Sequence, residues 1–155
     1  MTGVDASRSE RRAQIVQTIV DKTGVDEDTI RKVVHAFYGK VRQGAFIGPI
    51  FARAIGEDWD PHLAKMCDFW SSVLLMSGRY KGNPMVAHMR LKTVRPDHFA
   101  RWLELFHQTA REICAPETAE AFVMRSENIA RSLQLGMFYR PGTQDVAKSG
   151  RQGAK

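Results

Sequence analysis

Apolar residues recur every three or four positions along most of this chain, which is the period of helices that bury one face. Asp26 is a suitable N-cap for a helix that runs to about Arg42. The apolar stripe of this helix comprises Ile30, Val33, Val34, Phe37, Tyr38 and Val41. The long period-two alternation and the hairpin dipeptides typical of sheet proteins do not occur in the sequence. The pattern therefore predicts an all-α protein of about six helices.

Proline follows a capping residue at several predicted helix starts, where its fixed φ and missing N–H do not disturb the helix. The clearest examples are Asp60-Pro61 and Asn83-Pro84. With the periodicity, these signals predict helices over about 10–22, 26–42, 60–76, 83–91, 96–113 and 116–133. The segment 44–56 is punctuated by glycine and proline, and it is expected to form a loop or short turns.

The chain has 155 residues, which favours one domain, and a net charge of +6. Half of this charge lies in residues 140–155, which carry a net +3 and have nothing apolar to bury. We expect this tail and residues 1–8 to be disordered. The charge on the domain itself is ordinary and its basic residues do not cluster, so nucleic-acid binding is not indicated.

No apolar run approaches the ~18 residues that a membrane span needs. The N-terminus has no apolar segment of the secretory type, and two cysteines are too few for a disulfide scaffold. These features favour a cytoplasmic protein with reduced thiols.

Motifs for zinc, nucleotide phosphates or a nucleophilic serine do not occur, and Cys67 is interpreted as a small core residue. Many aromatic and thioether side chains instead share predicted inward stripes with a few polar groups. These are Phe37, Tyr38, Phe51, Met66, Phe69, Trp70, Phe99, Trp102 and either His62 or His88. Such a set is typical of an apolar ligand pocket. The pattern alone nevertheless favours an aromatic-rich core with hydrogen-bonded histidines.

Four stretches occur in order: FYGKVRQGAFIGPIF at 37–51, WDPHLAKMCDFWSSVLL at 59–75, RYKGNPMVAH at 79–88 and HFARWLELF at 98–106. Their order and spacing resemble those of a group III truncated haemoglobin, from about residue 26 to 138. The resemblance implies a two-over-two helical sandwich around haem b, with an extra N-terminal helix. It divides the chain into an N-terminal extension with one short helix (1–25), a truncated globin domain (26–139) and a disordered basic tail (140–155).

The proximal iron ligand of that family is matched by His88. It lies four residues after Pro84 in a short predicted helix, so the Pro84 carbonyl points toward it. That carbonyl can accept the hydrogen of Nδ1, which fixes the tautomer and leaves Nε2 for iron. The alternative for His88 is a surface histidine on a short helix.

The distal side of the haem is matched by four residues. Tyr38 and Trp102 resemble the donors that stabilise a bound diatomic ligand, because phenol O–H and indole N–H suit an apolar pocket. The alternative is that both groups bond to other protein groups. His62 resembles the distal histidine, which either donates to the ligand or swings outward as a gate. Met66, one turn on, is expected to form an apolar wall.

The resemblance also implies residues that hold the macrocycle. Three aromatic side chains would pack against it: Phe51, Phe69 and Phe99. Lys65 lies near the predicted rim and could meet a propionate, and Arg79 and Tyr80 are weaker candidates for the same contact. The alternative for these rim groups is an ordinary solvated face.

This resemblance implies binding of dioxygen and of other small ligands such as nitric oxide, carbon monoxide or cyanide. Strong distal donors slow ligand release, which favours scavenging or redox detoxification over oxygen transport. The alternatives are a haem-based redox or gas sensor, or a peroxidase-like enzyme that works with a partner. Turnover as a nitric oxide dioxygenase would need an external reductase, because the sequence has no flavin or nicotinamide motif. Whether the protein is an enzyme stays open at this stage.

Overall fold

The computed structural model describes residues 2–89, 91 and 93–138, with the backbone alone at 2–6, 86 and 89. Within these ranges the chain forms helices and no strand, which confirms the all-α prediction. The seven helices are α1 (Thr2–Thr23), α2 (Glu27–Gln43), α3 (Gly48–Ile55), α4 (Asp60–Leu75), α5 (Pro84–Met89), α6 (Pro96–Ile113) and α7 (Pro116–Phe138). The predicted disordered tail, 140–155, lies outside the described residues.

The first helix is much longer than the sequence pattern predicts. It begins at Thr2, so the predicted disorder of residues 1–8 is wrong for residues 2–8. Those residues carry almost no apolar groups, so a helix there leaves no periodic signal. Val16, Ile19 and Val20 pack against the core, whereas Ile15 is 42% exposed. Thus α1 lies on α4 and α7 through one narrow stripe.

The predicted N-cap of α2 is present. Asp26 has extended backbone dihedrals, and its Oδ1 accepts the Thr29 N–H at 2.8 Å and the Thr29 hydroxyl at 2.7 Å. These two hydrogen bonds lower the pKa of the Asp26 carboxyl. The helix start that carries Tyr38 into the core is therefore fixed by its own sequence.

The segment predicted as a loop contains α3, with Pro49 in its first turn. A Cβ at Gly48 would lie 2.7 Å from the Val41 carbonyl oxygen, so only glycine allows α3 to approach α2 this closely. The following helix also departs slightly from prediction. Its N-cap position is Trp59 rather than Asp60, and the Trp59 indole N–H instead donates to the Gly56 carbonyl at 3.0 Å.

Two pairs of long helices form the core. α2 packs against α4, α6 packs against α7, and α2 also contacts α6, which gives the predicted two-over-two arrangement. Phe106 is fully buried where these helices meet. Its ring stacks on Trp70 of α4 at 4.7 Å and on Trp102 of α6 at 5.4 Å, and it meets Phe37 of α2 edge to face.

A polar network fixes the chain where it leaves α4. The hydroxyl of fully buried Ser71 donates to Glu27 Oε2 and lies 2.6 Å from the Ser77 hydroxyl. The Ser72 hydroxyl accepts the N–H of Tyr80 at 2.8 Å. These bonds attach the segment after α4 to the start of α2, and they position the loop that leads to α5.

Replacing Ser71 by alanine should lower the free energy of unfolding by about 1–2 kcal/mol, since a buried hydrogen bond to a carboxylate is lost. Urea denaturation followed by circular dichroism measures this change. Thr18→Ala is a matched control, because Thr18 makes only an exposed bond to the Gln14 carbonyl on α1. An equally small effect of both substitutions would contradict a stabilising role for the network.

Candidate functional site

A cavity of about 330 Å³ lies between α2, α3, α4, α5, α6 and α7. Its volume falls in the range of roughly 300–1,000 Å³ typical of small-molecule sites. The cavity wall contains ten residues that the sequence analysis selected as candidates for the site. These are Tyr38, Phe51, His62, Lys65, Met66, Phe69, Tyr80, His88, Phe99 and Trp102.

On one short helix, α5, the orientation of His88 is set by a bond to the helix start. Its Nδ1 lies 2.7 Å from the carbonyl oxygen of Pro84, the first residue of α5. A carbonyl only accepts, so Nδ1 carries the hydrogen and Nε2 carries the lone pair. A neutral imidazole held in this way presents Nε2 as a ligand for a metal ion.

Near the start of α4, His62 offers a second imidazole. Its ring meets the Tyr38 ring edge to face at 5.1 Å. Its Nε2 is buried, and no described residue forms a hydrogen bond with it. Burial lowers the pKa of His62, and the charges of Lys65 and His88 lower it further. The cavity therefore holds a neutral histidine whose hydrogen-bonding capacity is unused by the described chain.

Tyr38 and Trp102 add two donors to the same wall. Tyr38 is 5% exposed, and burial raises the pKa of its phenol well above the usual value, so the phenol stays protonated. In the described part of the chain, nothing accepts a hydrogen bond from the Tyr38 hydroxyl or the Trp102 indole. The alternative that both groups bond to other protein groups is thus not what the described residues show.

Most of the remaining wall is apolar, and contacts between aromatic rings order part of it. Phe51 meets Tyr38 edge to face at 5.7 Å, and Phe69 meets Tyr80 in the same way at 5.2 Å. Phe99 is buried, and Met66 is half-buried against the core. Flat rings and a flexible thioether give a surface that suits a large planar apolar ligand.

The three rim candidates are placed differently. Lys65 and Tyr80 contribute to the cavity wall. Arg79 does not, and its guanidinium lies 3.5 Å from Glu27 in an exposed ion pair that joins the polar network after α4.

Several wall residues were not selected from the sequence. Ile47, Ile50 and Ala54 were missed because their segment was predicted as a loop. Ile129 and Leu133 lie one turn apart in the helix predicted over 116–133, and this helical spacing was the signal available for them. His98 was within a stretch quoted for the resemblance but was given no role; it too lies in the wall.

No protein-family model matches this chain. The chain is 35% identical over 121 residues to the group 3 truncated hemoglobin ctb of Campylobacter jejuni. The matched region covers 76% of this chain and 94% of that relative. This chain belongs to the group 3 truncated haemoglobins. The crystal structure of the group III truncated hemoglobin from Campylobacter jejuni also matches this globin, with a TM-score of 0.71 and 32% identity. The match covers 74% of this chain and 93% of that one.

Membership of the truncated haemoglobins implies haem binding, and the residues that line the cavity of this globin are suited to hold haem. The tautomer of His88 leaves Nε2 for iron, the wall is mainly apolar and contains several flat rings, and the buried Nε2 of His62 lacks a partner among the described residues. Buried polar atoms are rarely left without a partner unless a ligand or water supplies one. None of the described helices is long and apolar enough to span a membrane.

Replacing His62 by leucine should stabilise the haem-free globin by about 1 kcal/mol, because a buried atom without a partner is removed. The gain should grow as the pH falls below about 6.5. The unfolded chain takes up a proton on His62 there, whereas the folded chain, with its lowered pKa, resists it. Urea denaturation at several pH values measures both effects.

The control for this substitution is His35→Leu, since His35 is exposed on α2 and its loss should change the free energy of unfolding little. A destabilised His62→Leu protein would show that Nε2 is satisfied within the haem-free protein.

Proposed function

We propose that this globin binds haem b in the cavity, with His88 as the proximal iron ligand. The observation that carries the proposal is the bond between His88 Nδ1 and the Pro84 carbonyl, in a cavity with an aromatic wall. When bound, the haem iron supplies an open coordination position and a one-electron redox couple. The protein supplies the orientation and basicity of the proximal imidazole, and a wall that limits the access of water.

On the other face of the haem we place Tyr38, His62 and Trp102, with Met66 as an apolar wall. The phenol and the indole donate to a small ligand such as dioxygen, nitric oxide, carbon monoxide or cyanide. Their donor character is supported by the raised pKa of Tyr38 and by the absence of acceptors among the described residues. Phe51, Phe69 and Phe99 pack against the macrocycle, and Lys65 and Tyr80 approach its carboxylates.

A site with several donors favours retention of dioxygen over rapid release. We therefore propose ligand scavenging or the oxidative removal of nitric oxide, in the cytoplasm, rather than oxygen transport. Repeated turnover requires an external reductase, because the chain carries no motif for a redox nucleotide.

Peroxidase-like chemistry is the second candidate function, and one observation favours it. Such chemistry needs a group that moves a proton beside the bound substrate. His62 has a lowered pKa and an Nε2 without a partner among the described residues, so its neutral imidazole can accept a proton there.

Replacing His88 by glycine should abolish the retention of haem, because no other described residue of α5 offers an imidazole. The absorption spectrum after haem titration and gel filtration measures this loss, and added imidazole should restore a Soret band. His35→Gly is the control for introducing glycine into a helix, since His35 is exposed and outside the cavity. A wild-type protein with no Soret band would overturn the haem proposal. An unchanged spectrum of His88→Gly would overturn only the ligand assignment.

Replacing Tyr38 by phenylalanine should speed the release of dioxygen about tenfold, which corresponds to the loss of one ordinary hydrogen bond. Stopped-flow mixing of the ferrous protein measures the dissociation rates. Release of carbon monoxide, a much weaker acceptor, serves as the internal control and should change little. Equal changes for both ligands would show that Tyr38 acts by shape alone, and fast release of dioxygen from the wild type would contradict scavenging.

A further inference from the structure

Among the wall residues, His98 has no role in the proposal so far. It is the third residue of α6, it is 8% exposed, and it contributes to the cavity wall. Each ring nitrogen of a histidine in a cavity wall can bond to the chain, to water or to a ligand.

One ring nitrogen of His98 is already occupied. Its Nδ1 accepts the backbone N–H of Arg95 at 2.8 Å, which satisfies the chain just before α6. A backbone N–H only donates, so the hydrogen of the neutral ring is on Nε2. The tautomer of His98 is thus the reverse of that of His88: His98 presents a donor and His88 a lone pair.

The Nε2–H of His98 has no acceptor in the described part of the chain. The nearest carboxylate in sequence, Asp97, is engaged elsewhere, since both its oxygens lie 3.2 Å from the Arg95 guanidinium. This N–H, in a largely apolar wall, is therefore available to an acceptor that a ligand or water supplies.

His98 lies where the wall meets solvent. Its ring packs on Phe46 with centroids 4.7 Å apart, and Phe46, in the turn between α2 and α3, is 44% exposed. This edge is the place for the polar end of an otherwise apolar ligand. Haem has such an end, because its two propionates are its only charged peripheral groups.

Resting on the proposed function, we propose that His98 Nε2–H donates a hydrogen bond to a propionate carboxylate of the haem. His98 is then a haem-binding residue on α6, in addition to Lys65 and Tyr80. The same side chain caps the helix start through Nδ1, so haem retention is linked to the geometry of the α6 N-terminus.

A pair of substitutions of nearly equal size can separate the two proposed roles of His98, as a cap of α6 and as a donor to a propionate. Gln and Glu are both natural residues at the third position of a helix, where either accepts the preceding backbone N–H. His98→Gln keeps a donor for a carboxylate, whereas His98→Glu replaces that donor by a negative charge. Circular dichroism and urea denaturation establish that both variants are folded.

The experiment measures the rate of haem loss to an excess of apomyoglobin, for native haem and for its dimethyl ester. With native haem, His98→Glu should lose the group at least tenfold faster than His98→Gln, which corresponds to one hydrogen bond to a charged group. With the dimethyl ester, which lacks both carboxylates, the two variants should differ less than twofold. Resonance Raman bending modes of the propionates should also shift between the two variants.

Equal rates of native haem loss from both variants would overturn the inference and leave the haem proposal intact. A difference that persists with the dimethyl ester would also overturn it, since the effect would then not depend on a carboxylate. If His98→Glu does not fold, His98→Phe replaces it in the same comparison, because phenylalanine keeps the ring against Phe46 and removes the donor. A wild-type protein that shows no Soret band would remove the proposed function and this inference together.

Discussion

Phe106 is the side chain on which both helix pairs converge. It is fully buried, it stacks between Trp70 and Trp102, and it contacts Phe37 and Phe122 from two further helices. The two tryptophans that hold it also form part of the cavity wall. Trp70 and Trp102 therefore belong both to the core that stabilises the fold and to the wall of the cavity. A substitution of either residue is expected to affect both.

The polar groups of the cavity do not contribute to the stability of the haem-free fold in the way that the aromatic rings do. Aromatic packing supplies most of the favourable burial, whereas Tyr38, His62 and Trp102 bring donors and a buried nitrogen that no described residue satisfies. Groups of this kind weaken the haem-free fold and are retained where a ligand completes them. The balance predicts a protein whose stability depends strongly on occupancy of its cavity.

Most of the fold follows from local patterns, whereas the site was predicted from the family resemblance. The stripe from Ile30 to Val41 and the cap at Asp26 suffice to predict α2, because period and cap agree. Ten of the selected residues line one cavity and Arg79 does not. The resemblance could select them because it adds the order and spacing of motifs, which periodicity alone lacks. Haem placement and the role of each residue remain predictions.

The features that the sequence did not reveal depend on contacts between distant segments. α3 was not predicted because a helix of eight residues is too short to show a clear helical repeat of apolar positions. Its position depends on the close approach of Gly48 to the Val41 carbonyl. The bond from Ser71 to Glu27 joins residues 44 positions apart. The proposed role of His98 was inferred in part from its contact with Phe46, which no local sequence pattern predicts.

The short helix α5, which carries the proposed iron ligand His88, rests on α7. α5 has six residues and packs on α7, where a Cβ on Gly136 would overlap the thioether of Met85. A methionine that lies against a bare backbone resists sliding less than interlocked branched side chains do. The contact beneath His88 is therefore less interlocked than the stacked rings around Phe106.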